Sequence, residues 1–172
     1  TICELGAGYG RTAFAFLHAR PRARYIIIDI PPALAISQRY LSTVFPTRRV
    51  FAFRPFHRFE DVREEFESSD LAFLLPHQAA MLPRKCVDLF ISISSLHEMR
   101  MDQIAAYFSL IDRLTRGWFY MKQWRVSLNP HDNLTVRQED YPVMGHWRPL
   151  YVRQAPVQVS FFEALYKIDK PS

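Results

Sequence analysis

The residues best suited to do chemistry open the chain, where residues 1–12 read TICELGAGYGRT. Ile2, Cys3 and Leu5 form a short apolar run, and Gly6, Gly8 and Gly10 follow at alternate positions, with Ala7 between the first two. Arg11 and Thr12 then open a helical pattern over residues 13–19. A strand that breaks into a glycine-rich turn and then a helix suits a nucleotide. Glycines let the backbone approach the ligand, and the helix N-terminal N–H groups point at it. Glu4 refines the chemistry: a pyrophosphate has little use for a carboxylate two residues before the first glycine, whereas a cationic ligand bearing an amino group does. The third glycine of the dinucleotide fingerprint would have to fall on Arg11, which disfavours a nicotinamide dinucleotide.

A second acid supports the same site. Residues 25–30, YIIIDI, form a β-branched run suited to a strand buried on both faces. Asp29 and Ile30 close it about 20 residues beyond the glycine turn, where an acid can accept both hydroxyls of a ribose. The competing reading is a helix cap, and one carboxylate can serve both ends. Further along, Ser94, Ser95, His97 and Glu98 follow an apolar run, CVDLFISIS, and His77 and Gln78 follow another, LAFLL. Each group falls at the carboxyl end of an expected strand, where open α/β sheets bind ligands.

The elements that must position these residues alternate. Strands are expected over residues 2–5, 25–30, 71–75, 86–94 and 118–124, with residues 50–53 at an edge or in an insertion. Helices are expected over 13–19, 33–45, 59–68 and about 102–116. Pro31 and Pro32 suit a first helical turn, Asp102 is read as the cap of the last helix and Gly117 as its stop. Lys122 and Gln123 mark the wetter end of the strand WFYMKQW. Residues 127–149 read as an ordered loop, and two strand-like runs between 151 and 168 finish the chain as an antiparallel hairpin. The expected architecture is α/β, a three-layer Rossmann-like sandwich with a mostly parallel sheet.

Composition allows one domain with a substantial core: 172 residues, 49 % hydrophobic. The formal charge of +5 is spread over small clusters and does not argue for nucleic acid. Cys3 and Cys86 are read as buried thiols, which suits a reducing, cytoplasmic setting. No apolar run reaches membrane-span length, so no membrane partner is expected. The first residue is not Met and lies within a strand, so the chain is read as a piece lacking its N-terminal region.

The acid and the glycine spacing resemble motif I of the class I S-adenosylmethionine (SAM) dependent methyltransferases. GAGYGRT, YIIIDIPPAL, QRYLS, FLLP and DLFISISSLHEM, in that order, are similar to the sugar O-methyltransferase family within that class. The resemblance implies SAM as cofactor and a small-molecule or glycan hydroxyl as acceptor. It implies a cofactor-binding set of Glu4, Gly6, Ala7, Gly8, Gly10, Arg11, Asp29, Ile30, His77, Gln78, Ser94 and Ser95. Glu98 matches an acidic position of the family's motif, whereas His97 cannot be carried over from it. One of the two is expected to take the acceptor's proton. His131, Asp132 and His146 offer metal ligands without diagnostic spacing, and no metal is assigned. An NAD-dependent oxidoreductase and a non-catalytic SAM-binding scaffold remain as alternatives.

Overall fold

The computed structural model describes residues 1–128 and 133–168. The chain forms two compact units, Thr1–Pro83 and the part from Arg84 onward.

The first unit alternates strands and helices: β1 (Ile2–Leu5), α1 (Arg11–Ala19), β2 (Tyr25–Ile28), α2 (Pro31–Val44), β3 (Val50–Phe51), α3 (Arg63–Ser68), β4 (Leu71–Leu74) and α4 (Pro76–Ala79). Its strands are all parallel, in the order β3-β4-β2-β1, so of the two places expected for 50–53, an edge or an insertion, Val50–Phe51 takes the edge. Register sets Glu4 beside Ile27 and Tyr25 beside Leu71. Every residue of β2 and β4 is buried, which is why their sequences show no alternation: both faces of the strands are covered. The region 59–68 is shorter in helix than its pattern suggests, a 3-10 turn at Phe59–Asp61 followed by α3. Phe59 and Phe66 turn inward and meet edge to face at 5.3 Å.

The second unit contains β5 (Val87–Ile93), a 3-10 turn at Leu96–Glu98, α5 (Met101–Leu114), β6 (Thr115–Trp124), β7 (Val126–Leu128), β8 (Thr135–Arg137), β9 (Trp147–Gln154) and β10 (Phe161–Ile168). β6 runs parallel to β5, and β10 and β9 add to it as the antiparallel hairpin. The chain is therefore α/β, with mostly parallel strands and an antiparallel carboxyl-terminal hairpin. Ile104, Phe108, Ile111 and Leu114 form the buried stripe of α5, and Phe108 meets Phe119 of β6 edge to face at 5.7 Å. Each such buried apolar side chain contributes about 1.5–3 kcal/mol.

Four local expectations are corrected. Asp102 does not cap α5: Arg100 holds the cap position, its N–H donating to Gln103 Oε1 at 3.1 Å, and Asp102 sits in the first turn against the Arg100 guanidinium. Gly117 does not stop the helix but lies inside β6, where a Cβ would stand 2.2 Å from the Asp88 carbonyl oxygen. Only glycine lets β6 approach β5 there. Residues 127–149 are not one loop, since β7 and β8 pair as a separate antiparallel ribbon and Trp147 already belongs to β9. Gln123 is not at a wet end: it is completely buried.

Candidate active site

In the first unit, β1 ends in a turn closed by Gly10 N–H donating to the Ala7 carbonyl at 2.9 Å, and α1 begins at the next residue. Gly8 has φ +57° with nothing within 4 Å of where a Cβ would stand, so the turn presents bare backbone to open space. Gly10, at φ +95°, meets a different constraint: a Cβ would fall 2.9 Å from Leu41 Cδ1, on the buried face of α2. Arg11 is exposed at the first position of α1.

Asp29 directly follows β2 and grips this turn. Its Oδ2 accepts from Gly8 N–H at 2.9 Å, its Oδ1 from Ile30 N–H at 2.8 Å, and the Ala7 backbone also donates to it. Burial pushes its carboxyl up, while those three N–H groups pull it back down. Each carboxylate oxygen offers two lone pairs, so these three bonds leave one acceptor site for a hydroxyl of a ligand. Ile30 is 60 % exposed and caps α2 with its extended backbone.

Glu4 is only 1 % exposed within β1. Tyr25 Oη donates to its Oε2 at 2.8 Å, and the Thr12 hydroxyl donates as well. Burial pushes its carboxyl up; Tyr25, Thr12 and the charge of Arg11 oppose that shift. The sequence expects Glu4 to suit a cationic ligand with an amino group; the structure places its carboxylate in the interior, held by Tyr25 and Thr12. Gln78, expected near the cofactor, is buried. Its Oε1 accepts from Leu75 N–H at 3.0 Å and its Nε2 donates to the Arg54 carbonyl at 2.8 Å, so the amide holds the start of α4. His77 beside it is exposed.

In the second unit, Ser94 follows β5 with φ +56° and an exposed side chain. Ser95 turns inward, its Oγ 3.0 Å from Ser92 Oγ and its N–H donating to Gln123 Oε1 at 3.1 Å. His97 is buried, with Nδ1 3.0 Å from the same Gln123 oxygen. Its Nε2 stands 3.9 Å from Oε1 of Glu98, whose side chain is 69 % exposed. Of the two base candidates, Glu98 is thus the one an incoming molecule can touch. Of the metal candidates, His146 is engaged by Asp112 at 2.7 Å, and His131 and Asp132 lie outside the described residues. Among the described residues no three His, Cys, Asp or Glu side chains form a group that could hold a metal.

No family model and no curated protein matches the sequence. Solved structures do match. Magnesium protoporphyrin IX methyltransferase from Synechocystis PCC 6803, with S-adenosylhomocysteine bound, superposes with a TM-score of 0.67 at 12 % identity, over 98 % of this chain and 74 % of that one. The Burkholderia thailandensis 1,6-didemethyltoxoflavin-N1-methyltransferase, with 1,6-didemethyltoxoflavin and S-adenosylhomocysteine bound, gives a TM-score of 0.63 at 15 % identity, over 96 % of this chain and 69 % of that one. The PH0226 protein of Pyrococcus horikoshii gives 0.64 at 13 % identity, over 96 % and 80 %. The fold is that of the class I methyltransferases.

Within this methyltransferase fold, sequence reasoning missed Tyr25, Ser92 and Gln123. Tyr25 opens a hydrophobic strand and reads as core, and Ser92 sits unmarked in CVDLFISIS. The available signal was a polar side chain inside a strand whose neighbours are otherwise apolar, which calls for a partner once it is buried.

Proposed function

We propose that the chain is a SAM-dependent methyltransferase domain that methylates a hydroxyl oxygen of a sugar or glycan precursor. The observation that carries the cofactor part is the Asp29 carboxylate gripping the open face of the glycine turn at Gly8. This cradle fits SAM. Asp29 retains a lone pair for a ribose hydroxyl, bare backbone at Gly8 admits the ligand, and Glu4 supplies buried negative charge suited to a cation. Arg11 stands at the start of α1, where it suits the ligand's carboxylate.

Bound SAM would supply a methyl group already activated by its positively charged sulfur. The chain's residues are left with alignment and with the acceptor's proton. A sugar hydroxyl is a poor nucleophile at neutral pH, so a base must remove that proton as the oxygen–carbon bond forms and the carbon–sulfur bond breaks. Glu98 takes this role, as the exposed carboxylate following β5, and His97 stands behind it. The acceptor class rests on the sequence resemblance, and the second unit's Ser94 offers a hydroxyl that can orient it. Among the described residues no helix is long and apolar enough to cross a membrane.

Calorimetric titration with SAM, S-adenosylhomocysteine and NAD tests the cofactor. SAM and S-adenosylhomocysteine are expected to bind and NAD is not. Tight NAD binding, or no binding of either sulfur ligand, overturns the reading.

A further inference from the structure

Gln123 makes four polar contacts from a completely buried position on β6. Its Nε2 donates to the Ser92 carbonyl at 3.1 Å and lies 3.2 Å from Ser92 Oγ. A carbonyl only accepts, so the amide nitrogen must face Ser92. The opposite end gives the same answer: Ser95 N–H only donates, and it points at Oε1 from 3.1 Å. The amide orientation is thereby settled from both sides. Gln123 Oε1 has no proton to give, yet His97 Nδ1 stands 3.0 Å from it. A hydrogen bond across that distance requires the proton on Nδ1. A neutral imidazole carries one N–H, so its lone pair is then on Nε2.

The surroundings hold the ring in that setting. Trp124 and Phe161 pack against it edge-on, with centroids 6.2 and 6.3 Å away, and Ser127 Oγ donates to the His97 carbonyl at 3.4 Å. Nε2 faces the Glu98 carboxylate at 3.9 Å.

We propose that Gln123 is a positioning residue, which fixes His97 in its Nδ1–H tautomer and keeps the basic Nε2 turned toward Glu98. The catalytic meaning of this arrangement rests on the function proposed above; the tautomer itself does not. Glu98 touches the acceptor, His97 acts through Glu98, and Gln123 acts through His97. A proton taken from an acceptor hydroxyl by Glu98 meets an imidazole lone pair that can share it, so the carboxylate need not hold it alone. With the opposite tautomer, Nε2 would carry a proton and only donate to Glu98, leaving no lone pair there to share the incoming proton.

The test is long-range proton–nitrogen correlation NMR on the whole chain labelled with [15N]histidine, with His97 assigned by the signal lost in His97→Asn. Neutral His97 in the parent is expected as the Nδ1–H form. Gln123→Leu removes the acceptor and is expected to move His97 to the Nε2–H form that histidine favours in water. Gln123→Glu keeps an acceptor oxygen and is expected to keep Nδ1–H. An Nε2–H form in the parent overturns the proposal, as does an unchanged Nδ1–H form in a folded Gln123→Leu. Should Gln123→Leu not fold, the parent and Gln123→Glu decide the matter between them. The measurement uses neither cofactor nor acceptor, so a failure of SAM binding is read separately and leaves the tautomer result standing.

Discussion

The Gly8 backbone N–H donates to Asp29 Oδ2 at 2.9 Å, across 21 residues of chain. One carboxylate at the end of β2 thus shapes the turn at the end of β1, and the same group is the one expected to receive a ribose. Asp29→Ala should therefore have two effects. Losing hydrogen bonds to a charged group costs about 1.5–3 kcal/mol, so SAM should bind roughly tenfold to a hundredfold more weakly. The melting temperature should also fall, because the N–H groups of Ala7, Gly8 and Ile30 lose their acceptor. Calorimetry and a thermal melt on one preparation check both. An unchanged SAM dissociation constant would remove Asp29 from the cofactor site.

Glu4 gives a prediction with a defined sign. Burial holds its carboxyl above the ordinary 4.5, so the folded chain binds that proton more tightly than the unfolded chain. Its contribution to stability is therefore fully present below about pH 4.5 and is lost as the pH rises through the folded value. Glu4→Gln keeps an oxygen to accept from Tyr25 and Thr12 and carries no charge. The variant should melt higher than the parent at neutral pH, and the difference should vanish below about pH 4.5. Binding of SAM should weaken at the same time. A variant that is less stable than its parent at neutral pH would show that the charge is better solvated than its burial suggests.

In the proposed function Arg11 meets the ligand's carboxylate, and methylthioadenosine lacks that group. Arg11→Met should therefore weaken SAM by about tenfold, as expected for a charge-assisted contact, and leave methylthioadenosine nearly unchanged. Equal losses for the two ligands would assign Arg11 to the fold and not to the carboxylate.

Gly10 tests the packing beneath the turn. A Cβ there would approach Leu41 Cδ1 to 2.9 Å from a backbone at φ +95°. Strain and crowding together should make Gly10→Ala destabilising by about 1–3 kcal/mol in a denaturant titration. Gly8→Ala meets nothing within 4 Å and bears only the backbone strain, so its stability loss should be the smaller of the two. The reverse order would mean that α2 yields to the extra methyl.

Removal of a general base costs about a hundredfold or more in turnover. Transfer of labelled methyl from SAM to sugar nucleotides and simple glycosides offers the assay. Glu98→Gln should lower kcat to that extent with SAM affinity retained, and His97→Asn should follow it to a smaller degree. Near-parental kcat in both variants would place the base elsewhere.

Much of this protein is written locally. Strands buried on both faces read as unbroken apolar runs, so YIII and LAFL declare themselves, and the glycine spacing after Glu4 is contiguous in sequence because a turn is contiguous in space. Asp29 follows a strand end at the interval a βαβ unit imposes. Tertiary structure decided what depends on a partner far along the chain. Gln123 reads as wet because an amide usually is, and it is buried because Ser92, Ser95 and His97 arrive from 26 to 31 residues away to satisfy it. Gly117 reads as a helix stop from its neighbours and proves to be a close-approach point, since the Asp88 carbonyl it must clear belongs to another strand. The pairing of Val126 with Arg137 leaves almost no hydrophobic trace, because in this short ribbon only Val136 is buried and the strands are held by backbone hydrogen bonds that every residue type can make. Side-chain type and spacing determine which residues can be buried or can bind; which polar group meets which is set by long-range packing, where no local pattern records it.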